Sequence, residues 1–204
     1  MRASFRPLSL PVLETALENL DRLSGLVRGG GDDKNDSVDG VIVTSARAVD
    51  ACANAGADGD IDWRGVRFYA VGPATAAMLA RLLQPNPPQD VRGTDSGTAE
   101  RLAHYIVQDL GARERKQTLL YLTGDKNRET LARVVREGLG GEDVLIELRV
   151  YATRGVRDFE SHLARALGTD TGTYPPPPSF CICLIAPTTL CMAHGVARGM
   201  CFSI

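Results

Sequence analysis

One pattern constrains this chain more than any other. Four times, a short apolar run ends in a small polar loop and a helical pattern begins. The four cases are VIVTSARAV from Val41, FYAVGPATAAML from Phe68, LLYLTGDKNRETL from Leu119 and CICLIAPTTLCM from Cys181. A brief apolar run bounded by turn signals fits a strand buried on both faces, and such strands belong to parallel sheets covered by helices. Strands alternating with helical stretches of about 10–15 residues build βαβ units. The predicted fold class is therefore α/β, with a parallel sheet and helices on both faces.

The periodicity predicts strands over 41–43, 68–71, 119–122 and 144–151, and helices over 46–55, 74–83 and 99–110. The third helix places Leu102, Tyr105, Ile106 and Leu110 on one face, with Gly111 as its stop signal. A further helix buries Leu131, Val134 and Val135, with Gly138 placed to cap it. Phe159, Leu163 and Leu167 recur every four residues and form one apolar helical face. Two breaks punctuate the pattern. Residues 28–40, RGGGDDKNDSVDG, are too polar to pack and predict a surface loop. Residues 168–179 contain four consecutive prolines, which favour a stiff extended segment.

Composition matters mainly for what it excludes. With 44% hydrophobic and 24% charged residues over 204 positions, the chain has the balance of a globular protein with a core. Lys and Arg total 23 against 25 Asp and Glu, so the basic excess of a nucleic-acid module is missing. Cys52 stands alone and four more cysteines crowd the C-terminus, which is no secreted framework. This usage predicts a reduced, cytoplasmic compartment. The most apolar stretch, 180–197, contains Pro187 and His194, so no membrane span is expected. Arg2 and Arg6 lie near the N-terminus without the serine-rich stretch of a transit peptide.

In open parallel sheets, ligands sit at the carboxyl ends of the strands. Each polar loop here feeds a helix N-terminus, whose free N–H groups and dipole favour an anion. Ser45 is placed to cap the first helix, and Gly72-Pro73 opens the second with proline in the first turn. Arg47, Lys126 and Arg128 add positive charge beside these termini. Together the loops suit a ligand with several carboxylates or phosphates. Ordinary βα turns with solvated charges would carry the same residues.

The standard nucleotide motifs are absent. There is no GxxxxGK[ST], and Gly29-Gly30-Gly31 does not follow a strand as a dinucleotide fingerprint would. Cys181, Cys183, Cys191 and His194 could be assembled into a metal set. Cys181 and Cys183 alternate along a strand, however, so both thiols point to one face, and no metal is expected. His104 and His162 lie on helices without a partner motif and read as surface residues. Tyr151 closes the long strand at LRVYATR. There it either packs at a hinge or offers a phenol as a weak acid or hydrogen-bond donor.

Taken together, GVIVTSARAVDA, VRFYAVGPATAAML, GTAERLAHYI, LLYLTGDKNRETL and LRVYATR resemble the uroporphyrinogen-III synthase family in order and spacing. The resemblance covers residues 5–167. It implies two flavodoxin-like α/β lobes joined by a two-stranded linker. It also implies a reaction: linear hydroxymethylbilane loses water, its last pyrrole ring inverts, and the macrocycle closes without metal or cofactor. The substrate carries eight carboxylates and lies in a cleft between the lobes, held largely by backbone N–H groups. Carried over by motif, Thr44, Ser45 and Arg47 line that cleft from the first loop. Gly72, Pro73 and Ala74 line it from the second, and Gly124, Asp125, Lys126 and Arg128 from the third. Tyr151 matches the tyrosine proposed to help the hydroxyl leave as water.

Two departures stand out. The family's GNAE motif reads Gly97-Thr98-Ala99-Glu100 here, which puts any contact of the replaced amide in doubt. The ends also differ: the strand and helix expected before residue 5 are missing, and the region after residue 167 is short. The expectation is one complete lobe over 5–150. A partial second lobe would span 151–204, with a cysteine-rich tail arising by altered translation or splicing. The alternative on this basis is a non-catalytic anion-binding relative of the same fold. Either protein is expected to be a monomer that binds neither nucleic acid nor membrane.

Overall fold

A computed structural model describes residues 10–29, 38–59, 61–111, 117–126 and 129–167. They divide into two units. One spans Pro11–Arg157, and the helix α6, Phe159–Leu167, belongs to the other.

The larger unit runs β1 (Leu13–Leu17), α1 (Leu20–Arg28), β2 (Gly40–Val43), α2 (Ala46–Ala55), β3 (Arg67–Ala70) and α3 (Pro73–Leu82). It continues through β4 (Asp90–Arg92), α4 (Ala99–Leu110), β5 (Leu119–Gly124), α5 (Thr130–Leu139) and β6 (Leu145–Gly155). The six strands form one sheet in the order β1-β6-β5-β2-β3-β4. All neighbouring pairs are parallel except β1 with β6. From β2 the chain winds through β3 to β4, then returns to the other side of β2 through β5 to β6. The winding thus reverses between β2 and β5, where open α/β sheets place their ligand crevice.

The apolar runs become strands because both of their faces are covered. Val41, Val43, Phe68, Ala70, Leu120 and Leu122 join residues of α1, α2 and α3 in one core. The alternate residues Ile42, Tyr69, Leu119 and Tyr121 join α4 and α5 in a second core on the opposite face. Side chains alternate across a strand, so one short run supplies both cores. Full burial of each such side chain is worth about 1.5–3 kcal/mol.

The outer edge beyond β3 is managed by charge. Arg92 on β4 reaches Asp90 at 2.7 Å and Asp109 of α4 at 2.8 Å. Arg67 on β3 pairs with Asp90 at 3.0 Å, and the Tyr69 hydroxyl donates to Asp109 at 2.6 Å. This network ties α4 to the last two strands, and its charged residues suit an edge strand. Burial, then the bond to Asp109, hold the Tyr69 hydroxyl in its protonated form.

Several expectations change. The sheet has an antiparallel edge, because β1 pairs with β6. Neither β1, α1 nor β4 was foreseen. Residues 28–40 are not all loop: Arg28 ends α1, Gly29 caps it at φ +70, and Gly40 is buried as the first residue of β2. Residues 30–37 lie outside the described residues. The last helix of this unit passes Gly138 and is capped by Gly140 at φ +85. Gly138 instead seats the Val107 side chain of α4, where an added Cβ would lie only 3.1 Å from the Val107 Cβ. Tyr105 is 38% exposed and meets Tyr69 edge-on, with 6.5 Å between ring centres. The helix at Phe159–Leu167 forms where the four-residue spacing placed it. His104 is exposed, whereas His162 is half-buried. The polyproline segment and the cysteine-rich tail lie outside the described residues.

Candidate functional site

The carboxyl ends of β2, β3, β4, β5 and β6 all fall on one edge of the sheet, because these five strands are mutually parallel. That edge collects the first three polar loops and Tyr151. At β2, Ser45 caps α2 as expected, its hydroxyl accepting the Ala48 N–H at 3.2 Å. At β3, the Val71 N–H donates to the Val43 carbonyl at 3.3 Å, which carries the ladder past the last paired residues. Gly72 then caps α3 in extended conformation, with Pro73 at the first helical position. Pro73 and Ala74 are exposed.

At β5 and β6 the register changes. Leu122 pairs with Leu148 and Thr123 with Arg149, but Gly124 pairs with Tyr151. One residue of β6, Val150, is therefore extra. An extra residue of this kind bends a strand and re-aims the side chains that follow. Here Leu148 and Val150 face the core under α1, α2 and α3, and Tyr151 packs against the same core. Strict alternation would have sent Tyr151 to the other face.

The result is a cluster from three sequence-distant segments. The Ser45 hydroxyl donates to the Tyr151 hydroxyl at 3.2 Å. The Arg47 guanidinium lies over the Tyr151 ring, 5.7 Å from its centre, and reaches the Thr153 hydroxyl at 3.4 Å. The ring distance is within the range of a cation–π contact. The Asp125 carboxylate accepts the Thr153 N–H at 3.2 Å. Thr44 hydrogen-bonds the buried Tyr121, whose hydroxyl is held protonated chiefly by burial, against the opposing influence of that bond.

The structure thus brings together Ser45, Arg47, Gly124, Asp125 and Tyr151, and links Thr44 to them through β5. Gly72, Pro73 and Ala74 stand one strand further along the same edge. Lys126 is exposed at the end of β5, and Arg128 lies outside the described residues. Thr153 was missed, although Tyr151 and Thr153 alternate along one strand and share a face. The loop after β4 was missed as well. It borders a groove of about 550 Å³ lined by Arg92, Thr94, Ser96, Arg101, His104 and Tyr105, among others. In the substituted GTAE motif, the Thr98 hydroxyl accepts the Arg101 N–H at 3.2 Å and caps α4. The hydroxyl therefore has a structural task of its own.

Among the described residues no group of three or more His, Cys, Asp or Glu is arranged to hold a metal ion. Cys181, Cys183, Cys191 and His194 lie outside them. Also among the described residues, no helix is long and apolar enough to cross a membrane.

The strand order and the loop-lined edge define a doubly wound α/β domain that gathers its polar loops at the carboxyl ends of its strands. Comparison makes the class specific. The family model described as uroporphyrinogen-III synthase HemD matches residues 1–173, and the chain belongs to that family. A relative from Schizosaccharomyces pombe (strain 972 / ATCC 24843), named uroporphyrinogen-III synthase, is 31% identical over 96 residues. The match covers 47% of this chain and 35% of the relative, so the chain spans about a third of the relative it matches.

Proposed function

We propose that this protein closes hydroxymethylbilane to uroporphyrinogen III in tetrapyrrole biosynthesis, with loss of water and inversion of the last ring. The observation that carries the reading is the cluster at the β5–β6 register shift. There a half-buried phenol sits between a helix N-terminus and a guanidinium, on the edge that collects the first three polar loops. Family membership supplies the substrate class, and the geometry is suited to it.

In this mechanism the helix N-termini behind Ser45 and Gly72 receive carboxylates of the substrate through free N–H groups. Arg47 and Lys126 add charge, as does Arg128. Tyr151 gives its proton to the hydroxyl of the substrate's hydroxymethyl group. The C–O bond breaks with its electrons on oxygen, water leaves, and the adjacent pyrrole nitrogen supplies the electrons that form a cationic azafulvene. The last pyrrole ring attacks that carbon through its substituted α-carbon, giving a spiro intermediate. The older bond from that α-carbon to the methylene of the third ring then breaks, leaving an azafulvene on the third ring. The methylene bonds to the free α-carbon of the last ring, which is thereby inverted. The proton lost as the ring system regains aromaticity restores the phenol, so the net change is loss of one water. The protein's tasks are positioning and one proton transfer, and the reaction needs no cofactor. The antiparallel ladder of β1 with the end of β6 is suited to the two-stranded linker of the family, with a partial second lobe over 151–204. The reading makes the protein a cytoplasmic monomer.

The test is a coupled assay in which hydroxymethylbilane is generated in place and the oxidised isomers are separated. Spontaneous closure gives isomer I. Isomer III above the enzyme-free blank is the expected result. Isomer I alone from folded protein would overturn the reading and leave a non-catalytic anion-binding relative.

A further inference from the structure

Residues paired across neighbouring strands share a face of the sheet. At the Gly124–Tyr151 pair there is room for one side chain only. A Cβ built on Gly124 would fall 2.8 Å from the phenolic oxygen and closer still to Cε2 and Cζ of the ring. The ring therefore lies across the end of β5, in the space that any other residue at 124 would fill. Gly124 is not needed for a turn, since its φ is not positive. It lies within a strand, where glycine weakens the ladder and often marks a close approach.

Two further observations converge on the same ring. The extra residue Val150 turns Tyr151 toward the α2 face. On that face, the hydroxyl of Ser45 accepts the Ala48 N–H and directs its own hydrogen to the Tyr151 oxygen. This leaves the tyrosine's proton for another acceptor.

We propose that Gly124 is a positioning residue: its missing Cβ is the socket that the Tyr151 ring occupies beside β5, so that the hydroxyl stays on Ser45 with its proton directed outward. The proposal rests on the functional reading above for what the proton does, but the socket itself can be observed without activity. An alanine at 124 meets the far end of a side chain rather than backbone. The ring swings away while the strand remains, and the cost falls on catalysis more than on folding.

The experiment compares wild type, Gly124→Ala, Tyr151→Ala and the double variant in the coupled isomer assay. Proton NMR of the Gly124 Hα and urea midpoints accompany it. A ring seated against Gly124 displaces its Hα signals by ring current, and that displacement disappears in Tyr151→Ala. The expected result is that Gly124→Ala keeps a near-wild-type urea midpoint but loses about 100-fold in kcat, the scale of a small misplacement. Adding Gly124→Ala to Tyr151→Ala should cost nothing further. Wild-type kcat in Gly124→Ala, or an equal loss in both backgrounds, would overturn the positioning role. Gly124 Hα signals that Tyr151→Ala leaves unmoved would overturn the socket whatever the activity. Absence of isomer III with the displacement intact would overturn the functional reading and leave the socket standing.

Discussion

Gly93 and Gly97 flank the turn from β4 into α4 and offer a controlled experiment within one loop. Both sit at positive φ, +75 and +70 respectively. Alanine at either position carries the same backbone cost, about 1–2 kcal/mol for an L-residue in the left-handed region. Their surroundings differ. A Cβ on Gly97 meets nothing within 4 Å. A Cβ on Gly93 falls inside the contact distance of Leu102 Cδ1 and 3.4 Å from the Tyr105 ring. Leu102 is fully buried in the core beneath α4 and has little space to retreat. Overpacking of this kind costs about 1–3 kcal/mol. Gly97→Ala should therefore lose about 1–2 kcal/mol and Gly93→Ala about 2–5 kcal/mol. The larger loss is a sizeable share of the roughly 5–15 kcal/mol that holds a domain together. Urea unfolding with equal m-values for the three proteins measures the difference. Equal losses would refute the packing argument and leave only the backbone effect. A larger loss at Gly97 would refute both.

Other expectations follow from the same geometry. Ser45→Ala removes the cap of α2 and should cost about 1 kcal/mol in urea unfolding, together with a fall in isomer III formation, because it also frees the Tyr151 hydroxyl. Burial pushes the Cys52 thiol from 9.0 up to about 12. With the other four cysteines replaced by serine, a thiol reagent at pH 8 should label Cys52 only as fast as the protein unfolds; labelling at the rate of a free thiol would contradict its burial. Since the unfolded thiol ionises first, Cys52 should contribute stability fully present below pH 9 and lost as the pH rises toward about 12. Its hydrogen bond to Arg92 is the foremost cause that holds the Asp90 carboxyl below its usual range. The stability it confers is therefore present above the ordinary aspartate value of about 3.9 and lost as the pH falls through the lowered value. An acid titration of unfolding should be steeper for wild type than for Asp90→Asn, and parallel curves would show that the pair contributes nothing.

The centre of the fold was legible because burial on both faces leaves a plain mark. Val41-Ile42-Val43 and Leu119 to Leu122 are continuous apolar runs, and continuous apolar runs are what a doubly covered strand requires. The edges were not. β4 is Asp90-Val91-Arg92, with one apolar residue between two charges, and its strand character comes from pairing with β3 and from the ion pairs of Arg92. β1 reads LETAL, and its role depends on β6 lying beside it. α1 did carry a signal, in Leu20, Leu23, Leu26 and Val27, that the glycine-rich break after it obscured.

The candidate site divides the same way. The loops were visible from their position after apolar runs, and Ser45 was visible as a cap. The contact between Ser45 and Tyr151 was not, because it spans 106 positions and depends on one extra residue in β6. No local pattern announces a register shift. Gly124 was read as lining the cleft from the third loop, whereas a Cβ there would run into the Tyr151 ring.

The central claim is that the tetrapyrrole binds at the carboxyl edge of this sheet. Hydrogen exchange of backbone amides, with and without the stable oxidised product uroporphyrin III, tests it most directly. The account predicts slowed exchange at Ser45–Arg47, at Ala74 and at Gly124–Lys126, with the amino ends of the same strands unchanged. Protection at the amino ends, or none at concentrations that saturate binding, would contradict it.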